Sequence, residues 1–113
     1  MVDPVFLPLT MAAADDCTSG VRSVAEAANR AAADCWAALL GGCNSRSRDR
    51  LILTLHDLSE ATVGSSHYRR VMQAECRIDE AVREGDGAEY AEAFVGYDQA
   101  VATVLSRLRS TPA

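Results

Sequence analysis

The sequence predicts an all-α, single-domain antiparallel helical bundle with four main helices, preceded by a short N-terminal arm or helix. Three observations carry this expectation. Apolar residues recur at i, i+3/4, i+7 spacing in four successive segments, the signature of helices with one buried face. Glycines at Gly41-Gly42, Gly64 and Gly85 fall between those segments, where helices stop. The one alternation that permits a strand, Leu51, Leu53 and Leu55, has no second strand to pair with. At 113 residues the chain fits one domain, 1–113, long enough to bury a core unaided. Aromatic residues make up only 5% of it, so the core is expected to be largely aliphatic and alanine.

Residues 1–10 hold two of the prolines and read as an arm whose Val5, Phe6, Leu7 and Leu9 pack on something. Thr10 is placed to cap a short helix over Met11 to Cys17. The next helix runs from Val21 to Leu40 with the stripe Val21, Ala25, Ala28, Ala32, Cys35 and Leu39. Ser23-Val24-Ala25-Glu26 has capping-box spacing, which allows a start one turn later. Small residues dominate that stripe, so a neighbouring helix can approach closely. Asn44 to Ser47 offer caps for a helix from Arg48 to Val63, striped by Leu51, Leu55, Leu58 and Thr62. Ser65 or Ser66 starts the next, which runs to Arg83 or Glu84 with Tyr68, Val71, Ala74, Ile78 and Val82 inward. Gly85 suits a left-handed C-terminal residue, and Asp86-Gly87-Ala88-Glu89 has the spacing of a capping box. So short a corner makes the flanking helices antiparallel neighbours. The last helix, from Gly87 or Ala88 to about Arg109, carries Tyr90, Phe94, Tyr97, Val101, Val104 and Leu108. Residues 110–113 are a tail.

The formal net charge is -5, and all 11 basic residues are arginine. An acidic chain has no global field to attract nucleic acid. Its short basic stretches, at Arg46/Arg48/Arg50, Arg69-Arg70 and Arg107/Arg109, read as solvated helix ends. No apolar run approaches the ~20 residues that span a bilayer. The N-terminus has an acid, no base and two prolines around its apolar stretch, unlike a secretory signal, so a cytoplasmic protein is expected. In that compartment Cys17, Cys35, Cys43 and Cys76 are reduced thiols, and none forms the C-x-x-C pair of a zinc site. Trp36 sits at the edge of its stripe and reads as a core-boundary residue.

Two acids break the pattern. Taking about 100° per residue with Val71 as zero, Glu75 lies near about 40°, inside the apolar arc, whereas Glu80, Arg77 and Glu84 point outward. Asp98 does the same between Phe94, Val101 and Leu105. Folding the hairpin at Asp86 brings Glu75 and Asp98 to nearly the same height at ~1.5 Å per residue. Counting across the other turns brings His56, Asn29 and Arg30 to that level as well. The expectation is a mid-bundle polar layer of Glu75, Asp98, His56, Asn29 and Arg30, serving as a hydrogen-bonded network or lining a ligand pocket. Buried carboxylates must be paired, hydrogen-bonded or protonated. The Glu-x-x-His signature of di-iron bundles is absent, so no metal or other cofactor is expected.

The stretch Glu84 to Asp98, "EGDGAEYAEAFVGYD", resembles a helix-turn-helix stretch in the effector domains of GntR-type regulators of the FadR kind. Tyr90 and Tyr97 match its aromatic positions, and Asp98 stands where that family has a metal-binding histidine. The likeness covers about fifteen of the 113 residues and implies a helical hairpin. The winged-helix DNA-binding domain and the other family histidines have no counterpart in this chain.

No Ser/His/Asp arrangement, phosphate loop, dinucleotide fingerprint or H-E-x-x-H motif occurs. The expected function is therefore a non-enzymatic protein-interaction or regulatory module acting as a homodimer. Alternatives are a sensor binding a small molecule or metal at the carboxylates, and an enzyme using Glu75 and Asp98 as an acid/base pair.

Overall fold

Five helices follow one another along the chain: α1 (Pro8–Ala14), α2 (Ser19–Gly41), α3 (Ser45–Glu60), α4 (Tyr68–Glu84) and α5 (Gly87–Ser110). The computed structural model describes residues 5–15, 17, 19–41 and 45–110, and no strand occurs among them. The all-α class and the four long helices with a short leading one are as the periodicity predicts. α2 packs on α3, α3 on α4 and α4 on α5, while α1 lies against both α2 and α5. Trp36 lies against Gly87, and the Ala32 carbonyl accepts the Tyr90 hydroxyl, so α2 runs antiparallel to α5. α1 runs parallel to α5, with Thr10 beside Asp98 and Cys17 beside Leu105. The molecule measures 47 × 31 × 20 Å.

The α4–α5 corner forms as its sequence demands. Gly85 has φ 67°, which only glycine adopts without strain. Its N–H reaches the Val82 carbonyl at 3.2 Å, and the Asp86 N–H reaches that of Ala81 at 3.0 Å, a Schellman ending. Asp86 Oδ1 then accepts the Glu89 N–H at 3.0 Å, capping α5. Arg77 and Glu89 pair across the hairpin.

Other boundaries differ from the local signals. α1 begins at Pro8 rather than Met11, because a proline in the first turn lacks only an N–H that has no helical partner anyway. α2 begins at Ser19, so Ser23 lies inside it and caps nothing. α3 spans Ser45–Glu60, and 61–64 form a turn closed by Thr62 Oγ1 donating to the Ser59 carbonyl at 2.6 Å. α4 starts at Tyr68, and its N-cap His67 makes no side-chain cap bond. Gly42, Cys43, Asn44, the first four residues of the arm and residues 111–113 of the tail lie outside the described residues, as do the side chains of Leu108 and Arg109.

The core contains the expected stripes: Ala25, Ala28, Ala32 and Cys35 of α2, Leu51, Leu55 and Leu58 of α3, Val71, Ala74 and Ile78 of α4, and Tyr90, Phe94, Tyr97 and Val101 of α5. The few aromatics are concentrated rather than dispersed. Phe6, Trp36, Tyr90, Phe94 and Tyr97 form one cluster with ring centroids 4.9–6.3 Å apart. Each large buried ring stabilises by about 1.5–3 kcal/mol, against ~0.8 for a methyl-sized group. The cluster joins the arm, α2 and α5 in one packing unit.

Candidate functional site

Asp98 is 3% exposed, and both of its carboxylate oxygens are engaged. Oδ2 accepts the Leu9 N–H at 3.1 Å and Oδ1 accepts the Thr10 N–H at 2.8 Å, while Thr10 Oγ1 donates back to the Asp98 carbonyl at 3.2 Å. These are the first N–H groups of α1 after Pro8, and a negative charge there also suits the helix dipole. Asn29 acts one turn earlier. Its Oδ1 accepts the Phe6 N–H at 2.9 Å and the Leu7 N–H at 3.1 Å. Asn29 and Asp98 thus clamp the arm and the start of α1 from two helices.

Glu75 faces the other way. Its Oε1 accepts the Ser59 hydroxyl at 2.7 Å, and Ser59 Oγ lies 2.8 Å from the Tyr97 hydroxyl, which is also 3.0 Å from the Leu55 carbonyl. Two hydroxyl protons serve these three contacts. One consistent arrangement runs Tyr97 to Ser59 to Glu75; another sends the Tyr97 proton to Leu55. Burial, offset in part by the Ser59 hydrogen bond and reinforced by the Glu75 charge, pushes the Tyr97 hydroxyl pKa well above its ordinary value. Tyr90, which donates to the Ala32 carbonyl at 2.8 Å, is raised in the same direction by burial and by Cys35.

The five polar residues of the expected layer are therefore not brought into one space. Asn29 and Asp98 meet at the arm. Glu75 lies on the α3 side, lining a cleft with Leu51, Leu55 and Ile78, whereas Asp98 lines a recess with Phe6, Leu9 and Phe94. Tyr97 and Asp98 are adjacent on α5, so about 100° of helix rotation separates the side facing α3 from the side facing α1. His56 points outward and pairs with Glu60 at 3.2 Å, both side chains 55% exposed. Arg30 is exposed. Ser59 and Thr10, both fully enclosed, complete the two networks. Their signal in the sequence is slight: Ser59 follows Leu58 at the edge of an apolar stripe, and Thr10 reads as a local cap.

Asp98, the position that matches a histidine in the GntR-type stretch, binds backbone N–H groups. Among the described residues no three His, Cys, Asp or Glu side chains converge as metal ligands, and Cys17, Cys35 and Cys76 form no disulfide. No described helix is long and apolar enough to cross a membrane. The arginine stretches divide. Arg70 and Arg107 line a long open groove over α5 together with Arg77, while Arg46 and Arg50 line a small separate cleft beside Asp34.

One exposed feature is an apolar group gathered around a recess. Val5, Leu9 and Val95 are 54%, 50% and 58% exposed, and they rim a recess of about 360 Å³ whose lining includes Phe6, Pro8 and Phe94. The clamp accounts for this display. By holding the backbone at Phe6, Leu7, Leu9 and Thr10, Asn29 and Asp98 turn Leu7 and Thr10 inward and leave Val5 and Leu9 facing out. Comparison with known proteins adds no relative: no protein-family model, no curated protein and no solved structure matches this chain.

Proposed function

We propose that this protein is a non-enzymatic interaction module that pairs with a second copy of itself through the face made by its arm and one side of α5. The observation that carries the reading is the outward display of Val5, Leu9 and Val95 around one recess. Scattered single apolar residues need no explanation, but a contiguous group held in place by Asn29 and the buried Asp98 favours a partner. A two-fold pair would set this patch against its own copy, residue for residue, which is the commonest way small proteins self-associate. A shared acid/base or ligand site at Glu75 and Asp98 has less support, because the two carboxylates face different helices and Asp98 is saturated by backbone donors.

The test is light scattering on a size-exclusion column at micromolar concentration. The expected mass is about twice the 12.1 kDa of the chain. Leu9→Gln with Val95→Gln, both at exposed positions, should return it to the single-chain mass with helicity unchanged. A wild-type protein that stays monomeric at about 100 µM, or a double variant that still pairs, overturns the reading.

A further inference from the structure

A second feature, formed by α3 and α4 away from the arm, is independent of self-association. Between α3 and α4 opens a cleft of about 340 Å³, within the range of small-molecule sites. Ile52 and Val82 contribute accessible apolar walls over the buried Leu51, Leu55 and Ile78, and the acids reaching it are Glu75, Asp79 and Glu80. Asp79 is already matched by Arg48 at 3.9 Å and Arg83 at 3.3 Å, and Glu80 is exposed. Glu75 differs from both. It is half-buried, its one hydrogen bond is from Ser59, and among the described residues no arginine or histidine pairs with it. A partly desolvated carboxylate beside aliphatic walls lacks the countercharge that such groups ordinarily acquire.

We propose that this cleft binds a small organic cation with an apolar body, its ammonium group against the Glu75 carboxylate and its hydrocarbon part against Ile52 and Val82. The chemistry follows from complementarity. A bare divalent ion would need several converging oxygen ligands, and among the described residues no three acidic side chains converge in that way. An anion would meet three carboxylates. A neutral apolar molecule would fill the walls but leave Glu75 without a countercharge. An alkyl or arylalkyl ammonium satisfies both parts, and the Ser59–Tyr97 chain behind Glu75 holds the carboxylate in place.

The experiment uses the full chain, with 4-phenylbutylamine as the probe and 4-phenylbutanol as its uncharged counterpart, titrated by calorimetry. The amine should bind saturably and about tenfold or more tightly than the alcohol, as one charge-assisted hydrogen bond implies. Glu75→Gln keeps an acceptor for Ser59 but removes the charge, so it should abolish the difference between the two probes. Ile52→Trp, at a partly exposed position in the cleft lining, should weaken both probes by occupying the space. Cys76 lines the same cleft and is exposed, so the amine should slow its alkylation by iodoacetamide, read by mass spectrometry of the Cys76 peptide. Equal affinity for amine and alcohol overturns the proposal. So does undiminished amine binding by Glu75→Gln, binding without protection of Cys76, or no saturation at millimolar amine.

Discussion

Two buried tyrosines make the alkaline limit of this protein a property of single residues. Tyr90 and Tyr97 are fully buried, each hydroxyl near a backbone carbonyl, and burial raises the pKa of both above the ordinary value of about 10. Below pH ~10 both states keep the protons and the stabilisation is complete. As pH rises further, the unfolded chain releases protons that the folded chain retains, so stability falls by about 1.4 kcal/mol per tyrosine per pH unit. The chain has no lysine, and arginine holds its charge through this window, so the basic side chains do not obscure the effect. Helicity followed by circular dichroism should be lost in step with the appearance of buried tyrosinate absorbance above pH ~10. Ionisation of all three tyrosines near their ordinary pKa with helicity intact would contradict this burial. At the same scale, Glu75 and Asp98 are legible in the sequence as acids among apolar neighbours, because helical spacing alone fixes the angle at which each side chain leaves its axis. What each acid meets is not legible there. Ser59 and the α1 backbone lie across gaps that depend on how the helices are arranged around α5.

The same limit separates α1 from the longer helices. α2 to α5 follow from periodic apolar stripes and glycine breaks, and Gly85 with Asp86 predicts its corner down to the individual hydrogen bonds. α1 spans only 7 residues, too few to stand alone, and its N-cap Leu7 offers no side-chain acceptor. Its cap comes from Asp98, 88 residues away, so a search for a local capping residue settles on Thr10 and starts the helix too late. If Asp98 creates the start of α1, weakening it should release that element first. Asp98→Asn removes the charge and turns an amide N–H₂ toward one of the two donors. A loss of about 1.5–3 kcal/mol in urea unfolding is expected, with faster hydrogen exchange at Leu9 and Thr10 than elsewhere. Asn29→Ala, which unbonds Phe6 and Leu7, should cost about 1 kcal/mol and loosen Phe6 from the ring cluster. Wild-type stability and unchanged exchange in Asp98→Asn would mean that α1 is held by its apolar contacts alone.

For the whole molecule, the clamp and the exposed patch are parts of one design. The arm contributes Leu7 and Phe6 to the interior and Val5 and Leu9 to the outside, so ordering the arm and presenting the patch are a single event. The self-association proposed for that patch would couple to folding, since only the folded chain displays it. For a dimer that unfolds to separate chains, each tenfold rise in concentration adds about 0.7 kcal/mol per chain, which raises Tm by roughly 3 °C at this size. Each copy carries a net charge of -5, so electrostatic repulsion opposes an apolar contact. Screening should therefore strengthen pairing as sodium chloride rises from about 0.05 to 0.5 M, the reverse of what an arginine–carboxylate interface would do. Thermal melts from about 1 to 100 µM at both salt concentrations test this directly. The expected pattern is a concentration-dependent Tm that is higher in salt and becomes flat with concentration in Leu9→Gln/Val95→Gln. A wild-type Tm independent of concentration, or a dimer that weakens with salt, would remove the apolar arm face as the contact, since only charge-mediated association or none at all gives those signs.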